Sequence, residues 1–206
     1  MSSNLNSVKS DRRRPYHHGD LQAALILAAE QVLEEKGVSG FSLREAARRA
    51  GVSPAAPAHH FRDTSGLLTA VAARGFRRLS EALEEAADGA APAFRLQALG
   101  AAYVDFARQS PALFSMMWTR ELLNIDDPAY LAAGRAAFNV LERVATGRAV
   151  PVRTEPHLPD PAIIAAWSLI HGYARLVLDG ALEGVPESLQ EEVLKLMPSQ
   201  GGLHET

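Results

Sequence analysis

The chain has 206 residues, 47% hydrophobic and 22% charged, with a formal net charge of −3, seven histidines and no cysteine. That length supports one or two domains with a real core, and the missing cysteine excludes disulfides and thiolate-bound metal. The polar N-terminus shows no signal peptide and no run of about 18 apolar residues is evident, so a cytoplasmic protein without a membrane span is expected.

Residues 1–15 are polar and end in Arg12-Arg13-Arg14-Pro15. They read as a flexible basic arm, either reaching the DNA backbone or a minor groove, or simply solvated. Asp20 suits the N-cap of a helix from Leu21 to about Lys36, with Leu21, Leu25, Ala28, Val32 and Leu33 on its apolar face and Gly37 ending it. In the stretch Phe41 to Leu68, Ser42 is an N-cap and Glu45 completes a capping-box pattern. Leu43, Ala46, Ala47 and Ala50 form the buried stripe, while Arg44, Arg48 and Arg49 face solvent or phosphate. Gly51 ends that helix. Ser53 is the next N-cap, with Pro54 at the first position of a helix reaching about His60. Pro57 lies four residues after Ser53, where it removes the first intrahelical bond, so this helix is expected to start loosely. Two short helices joined by a glycine-containing turn make a helix-turn-helix, whose second helix presents His59.

Asp63 caps a long helix running to about Asp88, roughly 37 Å at the usual rise. After a break at Gly89–Pro92, helices are expected at Pro92–Gln109, Pro111–Leu123 and Asp127–Thr146. A proline-rich loop covers Gly147 to Pro159, and helices follow at Asp160 to about Glu183 and Pro186 to about Met197. The fold class is all-α. No HExxH spacing, glycine-rich phosphate loop or GxSxG elbow occurs, so no enzyme activity, metal or cofactor is expected. Phe106, Leu113, Phe114, Met116, Met117 and Trp118 read either as pocket walls or as plain core. On the helix around Trp167, one stripe holds Ile164, Trp167, His171, Arg175 and Leu178. Ala165, Ser168 and Gly172 form a second, small face that admits a neighbouring helix of the same or another chain.

The run Ser42-Leu43-Arg44-Glu45-Ala46-Ala47, with Ala50-Gly51-Val52-Ser53, His60-Phe61 and Leu67-Leu68, resembles the DNA-binding domain of TetR-family transcriptional regulators over about Tyr16 to Gly75. Trp167-Ser168-Leu169-Ile170-His171-Gly172 resembles the Trp-His-Gly motif of one TetR subgroup. The chain departs from the family at Ala58 and Thr64, where Tyr and Lys normally touch phosphates. The resemblance implies a basic arm (1–15), a DNA-binding head (16–76), a ligand-binding and dimerisation body (77–197) and a tail (198–206). Charge agrees: residues 1–78 carry 12 Lys and Arg against seven Asp and Glu, and the remainder nine against 17. The residues expected at operator DNA are Ser42, Arg44, Ser53, Ala55, Pro57, His59 and Thr64. Phe106, Met117, Trp118, Trp167 and His171 are expected around a small-molecule effector, with His171 either orienting it or bonded to a neighbouring helix. The expected function is a homodimeric repressor released from DNA by that effector. The alternative is a ligand-binding helical dimer whose helix-turn-helix has lost specific DNA binding.

Overall fold

The computed structural model describes residues 18–147, 160–186 and 188–197. Among them are nine helices and no strand: α1 (His18–Lys36), α2 (Leu43–Arg49), α3 (Ala56–Phe61), α4 (Thr64–Gly89), α5 (Arg95–Gln109), α6 (Pro111–Met117), α7 (Pro128–Thr146), α8 (Pro161–Leu178) and α9 (Ser188–Lys195). The arm, most of the Gly147–Pro159 loop and the tail lie outside the described residues.

Short polar side chains set most helix starts. Asp63 accepts from the Gly66 amide at 2.8 Å, and Asp160 from Ala162 at 2.8 Å. Asp127 takes the amides of Ala129 and Tyr130, both at 2.9 Å. Each aspartate satisfies amides that have no partner inside the helix. Prolines open α6, α7 and α8, where their missing N–H costs nothing. Two helices are shorter than the sequence indicates. The α6 helix stops at Met117, because the Trp118 and Thr119 amides turn back to Ser115 and Met116, and only a 3₁₀ turn at Arg120–Leu122 follows. The α8 helix stops at Leu178, before Gly180 at φ +72°.

Pro57 is accommodated by a later helix start. Instead of loosening a helix that starts at Pro54, it shifts the start, so that α3 begins at Ala56 and Pro57 occupies its second position. No intrahelical donor is needed there. Ser53 is therefore not a cap. Its carbonyl accepts from the Ala56 amide at 3.0 Å in a turn, and the N-cap is Ala55, without a side-chain bond.

The α4 helix packs on α1 and α3 at its start and on α5, α6 and α7 further along. Leu67, Leu68, Val71, Ala72, Phe76, Leu79 and Leu83 of this helix are all buried in one continuous apolar core. At Gly75 a Cβ would meet Met117 Sδ at 2.6 Å, so the absent side chain is what seats α6 against α4.

The α8 helix is apolar nearly all round. Ile163, Ala166, Ile170, Tyr173 and Ala174 are its buried residues, a stripe between the two inferred from sequence. Ala165, Ser168 and Leu176 are exposed, and nothing lies within 4 Å of a Cβ built at Gly172. Its 18 residues reach a mean hydropathy of 1.3, long and apolar enough to cross a membrane by composition, which the sequence reading did not anticipate. Only 28% of that window is buried, so much of its apolar surface is uncovered among the described residues.

Gly66 gives a sharp test of the head's packing. A Cβ there would lie 1.9 Å from the Phe61 carbonyl oxygen, which is backbone and fixed. Gly66→Ala is expected to destabilise the protein by about 2 kcal/mol or more, despite alanine's better helix propensity. Gly134→Ala, whose nearest neighbour is Phe76 at 4.0 Å, is expected to be neutral or stabilising. Urea unfolding of both variants decides the contrast.

Candidate nucleic-acid interface and the aromatic cluster

Ser42 Oγ accepts from the Glu45 amide at a long 3.4 Å. The Glu45 carboxylate does not reach back to complete the capping box. It instead takes two bonds from Arg48, both 2.8 Å, and one from Arg49 at 3.0 Å. Arg49 also donates two bonds to Glu35 of α1, at 2.6 and 2.5 Å. The two arginines hold the Glu45 carboxyl down at about 2, and Arg49 holds Glu35 below its ordinary value. Arg48 and Arg49, read from sequence as facing solvent or phosphate, thus face acids of the head. Arg44 is exposed and has no side-chain partner among the described residues.

The candidate DNA residues divide cleanly. Arg44, Ser53, Ala55, His59 and Thr64 are exposed, and Ser42 is half-buried. Pro57 is buried together with Phe61, so it packs α3 onto the head and is corrected from a contact residue to a core residue. Arg62 was missed. It follows α3 directly, is exposed, and adopts φ +68° and ψ −55°. The Asp63 amide donates to the Phe61 carbonyl at 2.8 Å, closing a three-residue γ-turn around it. For a residue with a Cβ this costs on the order of 1–3 kcal/mol. No residue-type signal announces it, since arginine has no preference for that conformation.

In the body, five helices contribute rings to one cluster. Trp118, the residue after α6, contacts His171 at 4.9 Å between centroids, Phe76 at 5.1 Å and Trp167 at 5.6 Å. Phe114 and Tyr103 stack edge-on at 5.5 Å, and Phe138 meets Trp167 at 5.8 Å. His171 Nδ1 and Tyr103 Oη are hydrogen-bonded at 2.8 Å. Burial, then the charge of Arg175, lowers the His171 pKa, and burial raises that of Tyr103. Both groups are therefore uncharged at neutral pH. The Trp118 indole N–H is buried and has no acceptor among the described residues.

Of the five expected effector residues, the fold brings together Trp118, Trp167 and His171. Met117 is fully buried with its sulfur beside Gly75, which makes it packing between α6 and α4. Phe106 has no ring contact with the cluster. It lies under the Arg78 guanidinium, 5.8 Å from centroid to carbon, because that side of α5 faces α4. Tyr103 was missed and takes the place that Phe106 was given. A small recess of about 130 Å³ lies elsewhere, lined by Arg108, Tyr173, Val177, Leu182, Glu183, Val185 and Pro186.

Two family matches cover the chain. Residues 25–71 match "Bacterial regulatory proteins, tetR family", and residues 96–198 match "Tetracyclin repressor-like, C-terminal domain". The chain belongs to the TetR family of transcriptional regulators. It is similar to the uncharacterized HTH-type transcriptional regulator YobS of Bacillus subtilis, 22% identical over 186 residues that cover 90% of this chain and 93% of that protein. A solved structure of a protein of unknown function from Rhodococcus sp. RHA1 is 38% identical, with a TM-score of 0.71 and coverage of 88% of this chain and 93% of that one. The regulator LfrR of Mycobacterium smegmatis, solved in complex with proflavine, shares the fold at 18% identity and a TM-score of 0.59, covering 85% and 93%. TetR-family proteins are DNA-binding transcription regulators rather than enzymes, and they typically dimerise and bind small-molecule effectors.

In this TetR-family regulator, polar bonds join head and body. Glu30 of α1 accepts from Arg78, beyond the head on α4, and also from Arg74 at 3.0 Å within the head. Glu34 of α1 accepts from the Leu113 amide in the first turn of α6 at 3.1 Å, where a carboxylate is favoured by the helix dipole. Thr69 Oγ1 of α4 accepts from the Asn124 amide at 2.8 Å.

The Glu45 cluster predicts an acid response. Its carboxyl lies at about 2, below the ordinary 4.5. A depressed folded-state pKa contributes stability that is complete above 4.5 and lost as pH falls through about 2. Glu45→Gln is therefore expected to lower the unfolding temperature at pH 7. The gap to wild type should narrow steadily between pH 4.5 and 2, as thermal unfolding across that range will reveal.

Proposed function

We propose that the chain is a homodimeric, cytoplasmic repressor that leaves double-stranded operator DNA when a small molecule binds beside Trp118. The observation that carries this reading is the bond between the Leu113 amide and Glu34. The α6 helix thereby links the aromatic cluster, at its end, to α1 of the head at its beginning. LfrR, of the same fold, has been solved with proflavine, which supports a small-molecule effector here too. The orphaned Trp118 N–H favours an effector with a hydrogen-bond acceptor, and the ring faces favour apolar, planar groups.

The head is assigned to residues 16–76 and the body to 77–197, with α4 running through both. In this reading α3 enters the major groove with Ala55 and His59 toward base edges, while Ser42, Arg44, Ser53 and Thr64 meet the backbone. The arginines at 12–14 extend that contact along the DNA. A two-fold dimer reading paired half-sites supplies the contacts that one short recognition helix lacks. The open α8 face, with Ala165, Ser168, Gly172 and Leu176, supports a dimer through α8 and α9. The subgroup with a Trp-His-Gly motif is supported by Trp167, His171 and Gly172 alone.

Release needs an effector that prefers the DNA-free arrangement, since only differential affinity shifts a population. Such couplings are typically about 1–3 kcal/mol, several-fold to a hundredfold in operator affinity. Glu34 transmits the shift in this scheme, because moving α6 strains or breaks its bond to α1.

Two measurements test the proposal. Arg44→Ala is expected to weaken binding to every duplex and to reduce the salt slope by about one. A wild type that prefers its own upstream DNA no more than random duplex favours the alternative of a non-specific dimer, and a monomeric mass at micromolar concentration removes the dimer. In the second, Trp118→Ala should abolish the response to an effector found by screening, with DNA binding intact. Glu34→Gln should still bind both effector and DNA but couple them less. Equal coupling in Glu34→Gln and wild type would rule out the α6–α1 route.

A further inference from the structure

We infer that Arg62 is a DNA-phosphate contact, supplying at the corner between α3 and α4 the positive charge that Thr64 does not. The inference rests on the DNA-binding reading above and adds a residue to it.

Four arginines in and just beyond the head are committed inside the protein. Arg48 and Arg49 are tied to Glu45 and Glu35, and Arg74 and Arg78 to Glu30. Arg77 lies 13 residues beyond Thr64, about 20 Å along α4, and Lys36 ends α1. Near the recognition helix, two exposed arginines remain without a side-chain partner among the described residues, Arg44 before it and Arg62 after it. The neighbouring Asp63 forms no ion pair with Arg62 among the described residues, its carboxylate capping α4 through the Gly66 amide.

The backbone sharpens the point. Arg62 sits at φ +68° inside the γ-turn closed by Asp63 and Phe61, a conformation glycine adopts at no steric cost. A turn alone would be made more easily by glycine. The corner instead holds a long cation whose side chain has no hydrogen-bond or ion-pair partner among the described residues. Two residues on, Thr64 is exposed and offers only a hydroxyl. A guanidinium there carries the charge and the paired donors that a phosphate takes.

The test uses the full-length protein, a duplex from the chain's own upstream region and a random duplex of equal length. Arg62→Gly is expected to raise the unfolding temperature, since the strained residue is replaced by one that fits. It should nonetheless weaken binding to both duplexes about tenfold and lower the salt slope by about one. Arg62→Lys should keep the slope and lose only a few-fold in affinity. If the wild type binds and Arg62→Gly matches it in affinity and slope, Arg62 is merely part of a turn and the inference is overturned. If the wild type binds neither duplex, the DNA-binding reading itself falls, and this inference with it.

Discussion

One uninterrupted helix carries a single apolar core from the helix-turn-helix into the body, and the packing of both parts depends on that constraint. Leu67, Leu68, Val71 and Ala72 of α4 are buried near the helix-turn-helix, and Phe76, Leu79 and Leu83 are buried further into the body. No glycine pair, proline or loop separates the two groups. A flexible linker would let each half relax independently, whereas a packed helix with a continuous hydrogen-bond ladder transmits displacement along its length. Gly75 sits between the groups and lets α6 approach within contact of the helix backbone. The Glu30 bridge to Arg74 and Arg78 fixes α1 to the same helix, and Glu34 fixes α1 to α6. Three elements thus share one junction of packed and hydrogen-bonded contacts.

What was legible in the sequence was whatever is decided within a few residues. Asp63, Asp127 and Asp160 mark helix starts, since each caps amides two or three positions ahead. Gly37, Gly51 and Gly147 take the positive φ that ends a helix, whereas Gly180 does so inside a helix expected to reach about Glu183. The same local logic misjudged Pro57, because it assumed a helix origin at Ser53 and left the origin no freedom to move. Moving it by two residues removes the conflict at the cost of a side-chain cap. The partners of Arg48 and Arg49 were harder to see. Glu45 lies on the same helix, but Glu35 is 14 residues from Arg49 and is reached only once α1 and α2 pack. The ring cluster is harder still, as its members come from α4, α5, α7, α8 and the end of α6. Only the crossing of those helices separates Tyr103, inside it, from Phe106, three residues away and under Arg78.

The charge asymmetry between the two halves also changes meaning once the pairs are known. Exposed ion pairs add little stability, typically below about 1 kcal/mol each. The Glu45 and Glu35 bonds matter more for where they hold two guanidinium groups than for what they add to folding. A count of 12 cations in residues 1–78 overstates the charge available to a phosphate, since four of them are occupied. Among the described residues, the unpaired positive charge beside α3 therefore comes down to Arg44 and Arg62.

In the body, the same economy of polar groups bears on the proposed effector site. His171 and Tyr103 satisfy each other and are held neutral, so neither offers a charge to a ligand. Arg175 is directed to Ser115 at 3.0 Å and to Asp179 at 3.0 Å. Within the ring cluster, the Trp118 N–H is a buried donor without an acceptor among the described residues. A buried donor without an acceptor is unfavourable by roughly 1–3 kcal/mol, so a molecule that brings an acceptor gains more there than its apolar contact alone provides. Trp118 is also the residue at which α6 stops being a helix, its amide turned back to Ser115. A ligand that engages that indole acts on the end of a seven-residue helix whose other end is bonded to the head. A helix so short has few bonds with which to absorb a shift at one end before passing it to the other.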